Sequence, residues 1–215
     1  MSQELIKQME EKNWDKDYDG EVAKLVKVFN SINSGTEDYY YVHQFALKHT
    51  KPGDYILDVG CGVGMLCNLL KDNGRNPTGV DVSDEAVKQS SIFVPSVHFK
   101  KMYSERLEFQ DELFDVVCST EVLEHLIDPE VALAELYRVC KKGGKLIVSV
   151  PIRDLLDNKG KSKHLHNFDF YKLMFMFQDY GEDFKIYPIN KFKHYDDEIA
   201  EPYKKLIYVV VFNKV

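Results

Sequence analysis

The stretch Tyr55-Ile56-Leu57-Asp58-Val59-Gly60-Cys61-Gly62-Val63-Gly64 leaves this chain few choices of fold. An apolar run of strand length ends in a turn with three glycines, and helix-forming residues 65–73 follow at once. The same alternation continues downstream. Strands are predicted at 55–59, 77–80, 97–101, 114–119 and 145–150, with helices at 65–73, 83–91 and 129–140 between them. Alternation of this kind predicts an α/β fold with a parallel sheet and covering helices. The third of these helices opens on Asp128-Pro129, an N-cap followed by proline at the first helical position. The run Lys141-Lys142-Gly143-Gly144 suits its C-terminus, where cations and glycine are favoured. Ahead of the first strand, residues 21–30 and 36–49 read as helices, and Trp14, Tyr18 and Tyr39-Tyr40-Tyr41 make this region rich in aromatics. It would either pack on the sheet or cover a pocket. At the far end a helix at 168–180, closed by Gly181, precedes strands at 184–189 and 206–212. A closing antiparallel pair there would complete a seven-stranded mixed sheet.

The glycine turn also has the chemistry of a ligand cradle. Glycines let a ligand approach the backbone with no side chain in the way, and N–H groups at a helix start attract an anionic or electron-rich group. Asp81, 23 positions after Asp58 (81 − 58), ends the next strand, where an acid accepts hydrogen bonds from ribose hydroxyls. The spacing is G-x-G-x-G, whereas the dinucleotide fingerprint is G-x-G-x-x-G, and position 65 is Met. Asp58, just ahead of the turn, would repel a pyrophosphate but attract an ammonium. The ligand implied carries a ribose and an amino group and no diphosphate. S-adenosylmethionine fits; NAD does not.

Further motifs follow in order: Gly79-Val80-Asp81, Phe114-Asp115-Val116-Val117, Glu121-Val122-Leu123-Glu124-His125, Leu136-Tyr137-Arg138-Val139 ahead of Lys142-Gly143-Gly144, and Leu146-Ile147-Val148-Ser149-Val150-Pro151. Together with the glycine turn, this set resembles the class I methyltransferase family, in its ubiquinone-biosynthesis-like O-methyltransferase branch. The likeness is close over residues 53–151 and holds only in pattern beyond them. It implies a Rossmann-like seven-stranded mixed sheet with the last strand antiparallel, helices on both faces and an N-terminal helical lid. The expected organisation is a single domain, with a helical cap at 1–50, a cofactor-binding core at 51–151 and a substrate-side region at 152–215. The resemblance further implies that Gly60, Cys61 and Gly62 line the methionine part of S-adenosylmethionine, with Asp58 and Gly64 of the same turn in the cofactor-binding set. Asp81 and Val82 would hold the ribose and adenine, with Thr120 on the same rim. Where the family carries an acid that reads the adenine amino group, this chain has Tyr103. Adenine would then be held by stacking and by Ser104 or Glu105.

Glu121, Glu124 and His125 follow the fourth strand directly. In a helical turn, positions i, i+3 and i+4 share a face, which would bring three ligand-type side chains together at the mouth of the sheet. His164 and His166, after the fifth strand, would lie on the same rim. Carboxylates with imidazoles suit a divalent ion such as Mg²⁺, Mn²⁺, Fe²⁺ or Zn²⁺, which could lower the pKa of an acceptor hydroxyl. The pattern is similar to the metal site of small-RNA 3′-end 2′-O-methyltransferases. The opposing reading has no metal: Glu121 faces the cofactor, and His125 or His166 acts as general base.

Composition narrows the acceptor. A net charge of −7 weighs against contact with a nucleic-acid backbone, which needs a basic footprint; the locally basic stretch from Lys159 to His164 reads as a solvated loop. No apolar run reaches the roughly 20 residues of a membrane helix, the N-terminus shows no signal pattern, and the four cysteines form no C-x-x-C pair. The expectation is a cytoplasmic enzyme that O-methylates a small-molecule acceptor bearing a catechol, sugar or phosphate group. Two alternatives are an RNA 3′-terminal ribose as acceptor and a non-catalytic subunit that keeps the fold as a regulatory scaffold. His43 and the Met174/Met176 region read as packing residues, and Asp196-Asp197-Glu198 as a solvated turn.

Overall fold

Period-two alternation along β1 (Tyr55–Val59) sets the layout of the molecule. Leu57 and Val59 join one buried cluster, while Ile56 joins another on the opposite face. Both faces are therefore covered, as a parallel sheet demands. The computed structural model describes residues 38–151, 164–181, 183–190 and 206–215. The remaining strands are β2 (Asn76–Asp81), β3 (His98–Lys101), β4 (Phe114–Thr120), β5 (Cys140–Pro151), β6 (Phe184–Asn190) and β7 (Leu206–Asn213). They form one seven-stranded sheet in the order β3-β2-β1-β4-β5-β7-β6. The first five strands are mutually parallel; β7 runs antiparallel to both β5 and β6. The predicted mixed sheet is thus the observed one, with β7 inserted between β5 and β6.

The helices are α1 (Asp38–Lys48), α2 (Met65–Asp72), α3 (Asp84–Phe93), α4 (Pro129–Val139) and α5 (Phe170–Gln178). α1 and α2 cover one face: Val42, Phe45 and Ala46 pack with Leu66 and Leu70 against Ile56, Val116, Cys118 and Ile147. α4 and α5 cover the other, where Leu133, Leu136, Leu173 and Phe177 meet Leu57, Val117, Leu146, Val148 and Phe212. The predicted Asp128 cap is in place, and two further helices are capped as well. Ser83 accepts from the Ala86 N–H, Asp128 from Val131 and Asp169 from Lys172.

Three expectations need comment. Lys141 to Gly144 do not end a helix. α4 stops at Val139, and Cys140, already extended at φ −75 and ψ 135, begins β5. The register between β4 and β5 shifts there, from Phe114 opposite Cys140 to Val116 opposite Lys145. Gly143 (φ 73) donates to the Lys214 carbonyl instead of capping a helix. Second, α1 takes the packing alternative of the two readings: Val42, Phe45 and Ala46 belong to the core, with Tyr41 packed against it. His43 is buried on this helix, and burial lowers its imidazole to about 4. Third, the segment 21–30, Trp14, Tyr18, the stretch from Lys159 to Lys163 and Asp196-Asp197-Glu198 lie outside the described residues. Among the described residues, no helix is long and apolar enough to cross a membrane.

Candidate active site

The sheet order reverses direction between β1 and β4, so a crevice opens at their C-terminal ends, where open α/β sheets bind ligands. Asp58, Asp81, Thr120 and Glu121 all stand on this edge. So does the turn joining β1 to α2.

That turn is folded back tightly on β2. Gly60 (φ 75) and Gly64 (φ 83) occupy left-handed backbone that a side chain rarely adopts. A Cβ on Gly60 would sit 2.3 Å from Val122 Cγ2, and one on Gly64 would sit 2.9 Å from the Phe99 ring. Close contacts with the protein itself, as much as ligand approach, therefore require these glycines. Replacement Gly60→Ala is expected to cost about 2–3 kcal/mol, read as a fall of several degrees in the melting temperature. An unchanged melting temperature would show that Val122 gives way freely.

The amides of the turn are used internally, which corrects the expectation that they stand bared for a ligand. Gly60 and Cys61 donate to the Val80 carbonyl at 2.8 and 3.0 Å, and Gly64 donates to the Cys61 carbonyl at 2.9 Å. Gly62 donates to Asp81 Oδ2 at 2.9 Å, and Asp81 Oδ1 accepts from Ser83 N–H at 3.0 Å. Asp81 is thereby fixed by two backbone donors, half-exposed, with each oxygen keeping further lone-pair capacity. Four amides of the turn are thus engaged within the protein, and two carboxylates, Asp58 and Asp81, flank it.

Asp58 is the less satisfied of the two. It is 1% exposed, its Oδ2 lies 3.5 Å from the Cys67 thiol, and its Oδ1 has no hydrogen-bond partner among the described residues. Burial pushes its carboxyl up to about 7, the Cys67 hydrogen bond opposes that, and the Asp81 charge adds to it. A buried carboxylate oxygen without a donor is costly, and a ligand ammonium would relieve it. Cys61 is buried in the turn, and burial with the two nearby acids pushes its thiol up. Val82 is half-buried after Asp81. Met102 N–H donates to the Asp81 carbonyl, bringing Tyr103 and the buried Ser104 alongside; Ser104 donates to Glu105 at 3.1 Å. Thr120 is buried at the end of β4.

The acidic rim is built differently from the predicted helical face. Glu121 takes a left-handed conformation (φ 57), and only a single 3₁₀ turn, Leu123–His125, follows. Ser149 holds Glu121 from both sides: its hydroxyl donates to the Glu121 carboxylate at 2.9 Å and accepts the Glu121 N–H at 3.2 Å. What converges instead is Glu124, His125 and His164, whose ligand atoms all lie within 4.8 Å of one another. Glu124 is 1% exposed, and neither carboxylate oxygen has a hydrogen-bond partner among the described residues; the nearer contact, to His125 Nε2, is 3.7 Å. Burial, and then the Glu121 charge, push the Glu124 carboxyl well up; burial likewise raises Glu121. His164, exposed at the edge, stacks edge-on with His125 at 4.9 Å, and burial of its inner side lowers its imidazole. His166 stands outside this trio. The N–H groups of Leu165 and His166 both donate to the Glu124 carbonyl, pinning the loop to the rim.

Two residues of the site escaped the sequence reading. Cys67 lies in the first turn of α2, and only its position after the glycine turn hints at contact with Asp58. Ser149 carried a clearer signal, as the single polar residue within Leu146–Val150 of an otherwise apolar strand.

The fold, with its carboxylate-flanked glycine turn, is shared with known methyltransferases. Residues 57–148 match the family model described as "Methyltransferase domain". Over these residues the chain is similar to a methyltransferase domain, and its seven-stranded mixed sheet is that of the Rossmann-like methyltransferase fold. It is 33% identical over 141 residues to a ubiquinone biosynthesis O-methyltransferase of Maricaulis maris, covering 62% of this chain and 54% of that protein. It is 39% identical over 117 residues to a 2-methyl-6-phytyl-1,4-hydroquinone methyltransferase of Synechocystis, covering 51% and 37%. Among solved structures, a SAM-dependent methyltransferase from Thermotoga maritima superposes with a TM-score of 0.69 at 26% identity, covering 92% of this chain and 98% of that one. The chain spans about half the length of the curated relatives it matches, at 54% and 37% of the two named here.

Proposed function

We propose that this chain transfers the methyl group of S-adenosylmethionine to a hydroxyl of a small polar acceptor bearing a catechol, sugar or phosphate group. The observation that carries this reading is Asp58, a buried carboxylate with one unsatisfied oxygen at the mouth of the turn that Asp81 latches from the other side. Asp58 would take the cofactor's ammonium, and Asp81 and Val82 its ribose and adenine, with Tyr103 and Ser104 alongside. The Gly60–Gly64 turn and Cys61 would line the methionine chain, and Thr120 would close the floor. The cofactor supplies a methyl group already activated by its sulfonium. The protein's work is then to align the acceptor and to exclude water.

The acceptor would stand at the rim of Glu121, Glu124, His125 and His164, with His166 behind it. The donor set fits a divalent ion. One carboxylate with two bare, buried oxygens and two imidazoles favours Mn²⁺, Fe²⁺ or Zn²⁺ over the all-oxygen preference of Mg²⁺. Such an ion would act there as a Lewis acid toward the acceptor hydroxyl. Without it, His125 is the residue placed to receive the hydroxyl proton, with Glu124 behind it. The net charge of −7 speaks against RNA as the acceptor, and the unsatisfied carboxylates speak against a scaffold with no ligand.

The test is titration calorimetry with S-adenosylhomocysteine, followed by transfer of labelled methyl to a panel of catechols, sugars and sugar phosphates. Half the reactions would first be treated with a chelator. The expected result is micromolar binding and label in one acceptor class, reduced by chelation and restored by Mn²⁺, Fe²⁺ or Zn²⁺. Absence of cofactor binding would overturn the reading; label transfer indifferent to chelation would remove the metal from it.

A further inference from the structure

We infer that Cys67 is a positioning residue for cofactor binding: its thiol holds one oxygen of Asp58 so that the other is presented, ionised, to the ligand. The inference rests on the cofactor reading above.

Three observations, on β1 and α2, support it. Asp58 at the end of β1 is buried and has a single hydrogen-bond partner of its side chain among the described residues, Cys67 Sγ at 3.5 Å from Oδ2. Its other oxygen, Oδ1, is also buried and has none. Cys67 itself is fully buried on the first turn of α2, so the thiol has one wall of its pocket made by the carboxylate and cannot turn to water.

The surroundings explain why such a weak donor matters. The groups that face Asp58 are Cys61 from the turn, Cys67 from α2, Cys118 from β4 and Asp81 from β2, and none of these is a cation. Burial and the neighbouring acid both resist ionisation of Asp58, and the Cys67 hydrogen bond is the one contact that favours it. The thiol's own ionisation is pushed far up by burial and by Asp58, so it stays a proton donor throughout the neutral range. An S–H donor bonds the ionised carboxylate more strongly than the neutral acid. It also fixes the side-chain rotation, since the carboxylate cannot turn its second oxygen away without losing its only donor.

Two variants test this. In Cys67→Ala the donor is gone; in Cys67→Ser a hydroxyl donor replaces it. The first readout needs no cofactor: the titration midpoint of Asp58 in the unliganded protein, followed by its ¹³C carboxyl shift. The second is the pH dependence of S-adenosylhomocysteine affinity. Loss of the donor is expected to move the Asp58 midpoint to higher pH and to weaken binding roughly threefold to tenfold near pH 7. The loss should narrow above pH 9, where Asp58 is ionised in either protein. The serine variant is expected to keep the wild-type midpoint and profile. An unchanged midpoint in the alanine variant overturns the inference while leaving the cofactor assignment intact. An equal upward shift in both variants also overturns it, because packing rather than donation would then be at work. Wild-type protein that binds no S-adenosylhomocysteine removes the cofactor reading and this inference together.

Discussion

Replacing Asp58 with asparagine is expected to weaken S-adenosylhomocysteine binding about 100-fold, as removal of one charge-assisted hydrogen bond from a water-free site should. The same change is expected to make the unliganded protein more heat-stable at pH 8. The two effects share a cause. Burial lifts the Asp58 carboxyl from 3.8 to about 7, so the unfolded chain gives up this proton at lower pH than the folded one. Stability tied to Asp58 is complete below pH 4 and is lost as the pH climbs through about 7. The ceiling on that loss is about 4 kcal/mol, from the separation of the two values. Asparagine has no such proton. Its melting temperature should exceed the wild type's by several degrees at pH 8, and the gap should close toward pH 4. Calorimetric melting of the two proteins at three pH values, without and with S-adenosylhomocysteine, decides the matter. A variant that melts lower at pH 8, or one that binds the cofactor as well as the wild type, would show that Asp58 is a structural acid and that the ligand lies elsewhere.

Substitution Glu124→Gln should lower kcat by about 100-fold or more, the range spanned by loss of an acid–base or ligand group, while cofactor affinity stays within about twofold. Glutamine keeps the volume of a side chain that is 1% exposed, so the core beneath it should survive. It removes the charge that stands within reach of His125 and His164. Steady-state rates with the acceptor found in the panel, together with calorimetry, separate the two sides of the site. An equal loss of cofactor affinity would place Glu124 in the cofactor half and undo the division proposed between rim and cradle.

The chain announces most of its fold because the two faces of the sheet are written in alternating residues. Leu57 and Val59 against Ile56, and Leu146, Val148 and Val150 against Ile147, give each strand its place before any contact is known. Ser83 and Asp128 mark helix starts as plainly, while Asp169, expected inside its helix, caps it. The errors fell where long-range contacts override local preference. Lys141 to Gly144 have the composition of a helix end, yet the pairing of their neighbours Cys140 and Lys145 with Phe114 and Val116, and the bond from Gly143 to Lys214, draw them into β5. Glu121, Glu124 and His125 have helical spacing. Ser149, 28 positions away, instead holds Glu121 at φ 57 and turns it out of the face it was expected to share. The glycine turn was recognised by its spacing, but not the internal use of its amides. That depends on how near Val80 and Asp81 lie, which only the β1–β2 register fixes.

The place of β7 bears on how the molecule assembles. It is the last strand in sequence, yet it fills the gap between two that precede it. During synthesis β6 has no neighbour to zip onto, and the outer edge of β5 stays open, until β7 has been made. The antiparallel β6–β7 pair is then expected to join the five parallel strands through β7. An exposed edge of this kind, lined by the apolar Leu146 to Val150, invites pairing with another copy of the chain. Late closure therefore concentrates the hazard of aggregation in one interval at the end of folding. Lesions in β7 should act chiefly by prolonging it.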